Sequence, residues 1–167
     1  MIAVAALAVV LLSMLVELRI SRRNERLLLS RGAVQPPDPV YRTMRWAYPG
    51  VFAGMAAEGI WRGAPSARLM IGGAIVFAAA KLLKGWAIYS LRGRWTYRVF
   101  VLPGAPLVTG GPYRWLRHPN YLGVVGEIAG FALLAGARWS GPIGVLLFGE
   151  LLRQRIRAEE RALGLSR

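Results

Sequence analysis

The segment GGPYRWLRHPNYLG, residues 110–123, decides how the rest of the sequence is interpreted. It contains the only histidine of the chain, His118, among arginines, aromatic residues, prolines and glycines, and apolar segments lie on both sides of it. Polar groups at the depth or the edge of a membrane are costly unless they are satisfied or used. The segment is therefore either a basic, aromatic turn that anchors the next helix at the membrane interface or part of a functional site.

The composition indicates an integral membrane protein. Of the 167 residues, 55% are hydrophobic and the mean hydropathy is +0.40, with the apolar residues concentrated in blocks. The net charge is +14, but the basic residues lie between the blocks, as in loops that face an anionic leaflet, which argues against nucleic-acid binding. The absence of cysteine excludes disulfides, thiolate metal sites and a cysteine nucleophile, and a single histidine argues against a metal centre.

The apolar blocks predict an all-α, polytopic membrane bundle of about five transmembrane helices, forming a single membrane domain over residues 1–167. The third block carries Lys81 and Lys84, which we expect to reach toward the polar end of their helix. The segment 21–32 is basic and amphipathic, and we expect it to form a helix that lies on the cytosolic interface. The charged tail also has a helical pattern. The five blocks are residues 1–16, 43–60, 69–91, 121–137 and 139–152.

The distribution of lysine and arginine predicts the orientation of the bundle. With the N-terminus outside and the C-terminus in the cytosol, all but three of the 22 basic residues fall on the cytosolic side, as the positive-inside rule requires. The segment around His118 and the charged tail then flank the hairpin of the fourth and fifth helices on the same face. We therefore expect His118 to lie close to Glu159 and Glu160. The three outer basic residues are Arg62, Arg68 and Arg138.

The entrance of the fourth helix has the features of an anion-binding site. Pro119 suits the first turn of a helix, which places His118 near its cap. Free backbone N–H groups and the helix dipole favour an anion there, and Arg114 and Arg117 reinforce that preference. A cytosolic ligand or a lipid headgroup would satisfy this corner equally well.

Glu127 is the acidic residue inside the fourth helix. It lies among Gly123, Gly126 and Gly130, whose spacing produces a small-residue face that permits close helix contact. A buried acid in a membrane helix is either functional or hydrogen-bonded to a neighbouring helix, and we regard Glu127 as a candidate substrate contact.

Two motifs carry a family resemblance. RHPNY at residues 117–121, followed by R-x-x-x-EE from Arg155 to Glu160, resembles the isoprenylcysteine carboxyl methyltransferase superfamily of integral membrane enzymes. Residues 93–113 are similar to the family's approach to the first motif, so residues 93–163 would form the methyltransferase core. Residues 21–33 look most like the bacterial branch linked to O-methylation of alkylpyrones and alkylresorcinols.

The resemblance implies a cytosolic pocket for S-adenosylmethionine (SAM), built by the fourth and fifth helices of a protein of the bacterial inner membrane. The acceptor would be lipophilic, either an alkylpyrone or alkylresorcinol of polyketide origin or an isoprenoid carboxylate, and would enter from the bilayer. Residues implied to bind the cofactor are Tyr113, Arg117, His118, Pro119 and Tyr121. Residues implied to be catalytic, at the acceptor side of the pocket, are Arg155, Glu159 and Glu160.

Two other functions fit parts of the same pattern. Membrane reductases of sterols and steroids look related, and some share an HPNY-type motif with a nearby glutamate, here Glu127; such an enzyme would transfer a hydride from NADPH. A non-enzymatic membrane protein could instead use its basic loops to bind anionic lipid or a partner, in which case charge rather than residue identity would matter at His118, Tyr113 and Glu160.

Overall fold

The computed structural model describes residues 2–165, which form five α-helices, so the all-α class predicted from the sequence is confirmed. The long connection between the third and fourth helices contains 3₁₀ turns at Arg92–Arg94 and Gly111–Arg114. Met1, Ser166 and Arg167, which belong to the predicted domain, lie outside the described residues. The helices are α1 (Ile2–Ser30), α2 (Tyr41–Arg62), α3 (Ala67–Leu91), α4 (Pro119–Ala135) and α5 (Ser140–Ala162).

Helix α1 is longer than predicted, because the first apolar block and the basic segment 21–32 form one continuous helix. The basic segment is helical, as predicted, but it continues the first helix instead of lying across it on an interface of its own. Ser21 and Asn24 are buried against the connection that follows α3. The Asn24 side chain donates to the carbonyl of Trp95 at 2.8 Å, and the Ser21 hydroxyl accepts from the backbone N–H of Tyr97 at 2.9 Å. These bonds hold the second half of α1 against the connection between α3 and α4.

Helices α3 and α4 pack closely through glycines. A Cβ atom added at Gly130 would lie 2.5 Å from the backbone nitrogen of Phe77, and one at Gly73 would lie 2.4 Å from that of Leu134. A Cβ atom at Gly123 would lie 2.9 Å from the Cβ of Lys84, and one at Gly126 would lie 2.8 Å from the Cβ of Ala80. The small face predicted on α4 is thus confirmed, and it is the face that contacts α3.

A group of four charged residues, which we call the buried charge cluster, joins α1, α3 and α4. Glu17 lies 2.8 Å from the Lys84 ammonium, and Glu127 lies 3.2 Å from that of Lys81. Tyr48 of α2 donates a hydrogen bond to Glu127. Lys84 is only 2% exposed, so the expectation that the lysines reach toward the polar helix end is wrong for this residue. The carboxylates of two other helices satisfy its charge inside the bundle.

Helix α5 combines the predicted fifth apolar block with the first ten residues of the charged tail. It begins at Ser140, where Glu58 accepts hydrogen bonds from the backbone N–H groups of Ser140 at 2.7 Å and Trp139 at 3.0 Å. At its other end it returns to the entrance of α4, which starts at Pro119 as predicted. The hairpin therefore brings the two sequence motifs to one end of the bundle.

Within the described residues, two segments are long and apolar enough to cross a membrane, Ala3–Ser30 and Ala67–Arg94, and Pro119–Ala135 is a shorter apolar helix. Leucines on the outside of the bundle remain exposed, among them Leu12, Leu82 and Leu146. Soluble monomers rarely expose apolar surface on this scale, whereas a lipid environment accommodates it. Five membrane crossings remain a prediction.

The close approach of α3 and α4 leads to a test by matched substitutions. Gly130→Ala places a methyl group against the backbone of α3 and should cost about 1–3 kcal/mol of stability through overpacking. Gly85→Ala lies in α3, where nothing is within 4 Å of the new Cβ, and should be neutral or stabilising by up to about 1 kcal/mol. Thermal unfolding of the detergent-solubilised protein measures both, and equal midpoints for the two variants would contradict the packing.

Candidate active site

Four side chains of the two motifs meet where the α4–α5 hairpin ends. The His118 Nε2 lies 3.1 Å from Oε1 of Glu160, and the Tyr121 hydroxyl donates to Oε2 of Glu159 at 2.6 Å. The rings of His118 and Tyr121 are stacked with their centroids 5.6 Å apart. The predicted proximity of His118 to the two glutamates is therefore confirmed.

The local sequence explains this arrangement. Pro119 occupies the first position of α4 and is fully buried, which fixes the start of the helix at His118. His118 and Tyr121 are three residues apart and project from the same side of the chain. Adjacent residues on α5 differ in direction by about 100°, so Glu159 and Glu160 can each contact one member of the stacked pair.

Arg155 is buried beside this group. Its guanidinium donates to the carbonyl of Tyr97 at 2.6 Å and to the Tyr121 hydroxyl at 3.4 Å, and it forms an ion pair with Asp38. Burial lowers the pKa of Arg155 to about 10, so the side chain remains cationic at neutral pH. Arg155 thus connects α5 to three other parts of the chain.

Asp38, which pairs with Arg155 beside the site, is a residue that the sequence did not indicate. It lies in the proline-rich turn between α1 and α2, where an isolated acid carries no periodic or motif signal. One of its carboxylate oxygens also accepts from the backbone N–H of Tyr41 at 3.1 Å, which fixes the start of α2. The pair with Arg155 therefore joins the α1–α2 turn to the end of α5.

These residues border a cavity of about 1190 Å³. His118, Tyr121, Glu159 and Glu160 line it, and Arg155 forms part of its wall. Most of the other residues that line the cavity are either arginines or apolar residues. The arginines are Arg94, Arg98, Arg117, Arg157 and Arg161, and the apolar residues include Leu91, Val99, Phe100, Leu107, Val108, Leu163 and Leu165. The cavity thus offers both cationic and apolar surface.

Two further lining residues have polar atoms available for a ligand. The side-chain oxygen of Asn120 is buried and has no hydrogen-bond partner within residues 2–165. Burial, with a smaller contribution from the charge of Glu159, raises the pKa of the Tyr113 phenol above its ordinary value, so this group stays protonated and can donate. Arg117 also lines the cavity, whereas Pro119 is buried beneath it.

Glu127 lies apart from this site. Its side chain is completely buried in the charge cluster and does not line the cavity. The nearest connection runs through Tyr97, whose hydroxyl donates to Glu17 at 2.9 Å while its carbonyl accepts from Arg155. A substrate contact at Glu127 stays a prediction that this geometry does not support.

Comparison with known proteins agrees with these motifs. The model of the isoprenylcysteine carboxyl methyltransferase (ICMT) family matches residues 73–164, which include most of α3, the connection, and both motif-bearing helices. The chain therefore belongs to the ICMT family, a class of membrane proteins for which SAM-dependent methyl transfer is the implied chemistry.

Two relatives extend the similarity beyond that segment. The uncharacterized protein YpbQ of Bacillus subtilis is 30% identical over 157 residues, which cover 94% of each chain. An uncharacterized protein of Haemophilus influenzae is 29% identical over 149 residues, covering 87% of this chain and 86% of its own length. No solved structure matches the chain.

The Asp38–Arg155 pair gives a test of how the site is held together. Asp38→Ala should destabilise the protein by about 3–5 kcal/mol, because it leaves a buried guanidinium without its counter-ion. The control is Glu150→Ala, which breaks an exposed pair with Arg153 on the same helix and should barely change stability. Thermal unfolding in detergent measures both, and similar midpoints would show that the buried pair is unimportant.

Proposed function

We propose that the protein is a SAM-dependent methyltransferase that acts on a lipophilic acceptor, with residues 93–163 as its core. The observation that carries the proposal is the pairing of His118 with Glu160 and of Tyr121 with Glu159 at one wall of a cavity that has both cationic and apolar surface. The segment that holds these residues is the one matched by the ICMT family.

The residues that line the cavity fit the groups of SAM. Arg117 and the N-terminus of α4 suit a carboxylate. Glu159, Glu160 and the unpaired oxygen of Asn120 suit the positive charges of an ammonium and a sulfonium. The phenol of Tyr113, with apolar neighbours, offers a surface for a purine ring.

The volume and the apolar lining leave room for a second molecule. Pockets for one small ligand usually measure about 300–1,000 Å³, and this cavity reaches about 1190 Å³. The apolar residues Phe100, Leu107 and Leu165 suit the hydrocarbon part of an acceptor. We propose O-methylation of an alkylpyrone, an alkylresorcinol or an isoprenoid carboxylate, each of which carries an acidic oxygen on an apolar body.

When bound, SAM supplies an electrophilic methyl group for in-line displacement. The contribution of the protein is then mainly positional, and holding reactants in line can supply about 7–11 kcal/mol. Glu160 Oε1 is held by His118, so its other oxygen can take the proton of an acceptor that is not already ionised. Arg155 is a positioning residue, since it orients Tyr121 and through it Glu159.

The membrane arrangement belongs to the same proposal. Five crossings with an outer N-terminus would place the cavity on the cytosolic side of the bacterial inner membrane, where SAM is available. An acceptor dissolved in the bilayer would then reach the apolar part of the cavity without crossing water. The exposed leucines and the asymmetric distribution of basic residues support this arrangement.

Binding of isotopically labelled SAM to the purified protein is the first test. His118→Ala and Tyr121→Phe should each weaken binding about tenfold or more, because each releases one of the two glutamates that would hold the positive charges of SAM. Arg153→Gln, an exposed change on the same helix outside the cavity, should bind like the wild type.

With a lipid extract as acceptor, Glu160→Gln should lower methyl incorporation by about 100-fold or more.

Two other outcomes would contradict the proposal and support a different function. No SAM binding together with lipid-dependent NADPH oxidation would identify a reductase. No SAM binding, together with lipid binding that Arg153→Gln weakens and His118→Ala leaves unchanged, would indicate that charge rather than residue identity matters, as for a lipid-binding protein.

The orientation can be tested with single cysteines, since the chain contains none. In intact cells a membrane-impermeant maleimide should label an Ala64→Cys variant, whose loop is expected outside. An Arg31→Cys variant should be labelled only after the membrane is opened. Both positions are exposed in the structure, so a reversed pattern would invert the topology and contradict a cytosolic site.

A further inference from the structure

A second, separate concavity lies at the opposite end of the bundle from the cavity. We call it the outer groove: it has a volume of about 750 Å³ and is bordered by the α2–α3 loop, the start of α3, the end of α4 and the start of α5. Its floor is made of small residues of α4 and the following turn, Ala129, Ala132, Gly136 and Ala137. Leu133 and Leu146 line it and are partly exposed. The groove is therefore a largely apolar depression whose floor consists of small side chains.

Two arginines stand at the rim of the outer groove. Arg62 comes from the α2–α3 side and Arg138 from the α4–α5 turn, so the two cations approach from different connections. Neither forms an ion pair with another residue in the described range 2–165. Glu58, the acid at this end, is directed to the backbone of Trp139 and Ser140. The rim thus has unbalanced positive charge beside apolar surface.

Exposed tryptophans indicate the depth of this rim in a membrane. Trp61 is 80% exposed and Trp139 is 69% exposed, and each is next to one of the two arginines in sequence. Exposed tryptophan is typical of the headgroup level of a bilayer. From Gly136 back to Ala129 the floor extends roughly 10 Å along α4, at 1.5 Å per residue, toward the hydrocarbon region.

We propose that the outer groove binds one anionic glycerophospholipid of the adjacent leaflet. Arg62 and Arg138 would hold its phosphate, and the small-residue floor would receive one acyl chain. Arginine is suited to a phosphodiester because its guanidinium can donate two hydrogen bonds in parallel. The site does not depend on the proposed methyltransferase function, because it shares no lining residue with the cavity.

The test uses native mass spectrometry of the full chain in mild detergent, with phosphatidylglycerol and phosphatidylcholine of identical acyl chains. The wild type should retain one phosphatidylglycerol and little phosphatidylcholine. The double variant Arg62→Gln/Arg138→Gln should weaken phosphatidylglycerol retention about tenfold or more. Arg68→Gln removes the third outer arginine, which does not line the groove, and should retain lipid normally.

Two more variants separate the head and the tail of the lipid. Arg62→Lys/Arg138→Lys keeps the charge and should restore part of the retention, while Ala129→Phe fills the floor and should reduce retention although both arginines remain. Equal retention of the two lipids by the wild type, or an equal loss in Arg68→Gln, would overturn the proposal. Unchanged retention in Ala129→Phe would also overturn it, because the acyl chain would then lie elsewhere.

Discussion

The buried charge cluster is the constraint on which the rest of the structure depends. An unpaired charge inside a helical bundle is strongly unfavourable. Removing one partner of a buried ion pair therefore destabilises the protein, because the other charge is left without compensation. Glu17, Lys81, Lys84 and Glu127 meet this constraint only if α1, α3 and α4 keep one relative register. The glycine contacts then allow α3 and α4 to approach closely enough for the Glu127 carboxylate to reach the lysines.

The cluster also reaches the candidate active site, through Tyr97. Burial and the charge of Glu17 raise the pKa of this phenol, so its hydroxyl remains a donor to Glu17. The backbone of the same residue accepts from Arg155, which Asp38 holds from the other side. The wall of the cavity is therefore fixed both to the buried charge cluster and to the α1–α2 turn.

The sequence predicted the features that depend on the hydropathy of a single helix or on the distribution of basic residues along the chain. Hydropathy located the helices, and the basic residues placed His118 and Glu160 on one face. It did not predict that α1 continues to Ser30, because a basic amphipathic segment has the same pattern whether it lies on lipid or on protein. Partners across helices, such as Lys84 with Glu17 and Asp38 with Arg155, depend on register and loop path, which periodicity does not encode.

The contacts of α1 with the connection after α3 have a consequence for how related proteins diverge. Asn24 and Ser21 bind backbone groups of Trp95 and Tyr97, and backbone groups are present whatever side chains the loop carries. Neighbouring side chains in the cavity wall can therefore be exchanged while the loop keeps its position. Such a wall can change its shape and surface chemistry by substitution alone, without rebuilding the scaffold that surrounds it.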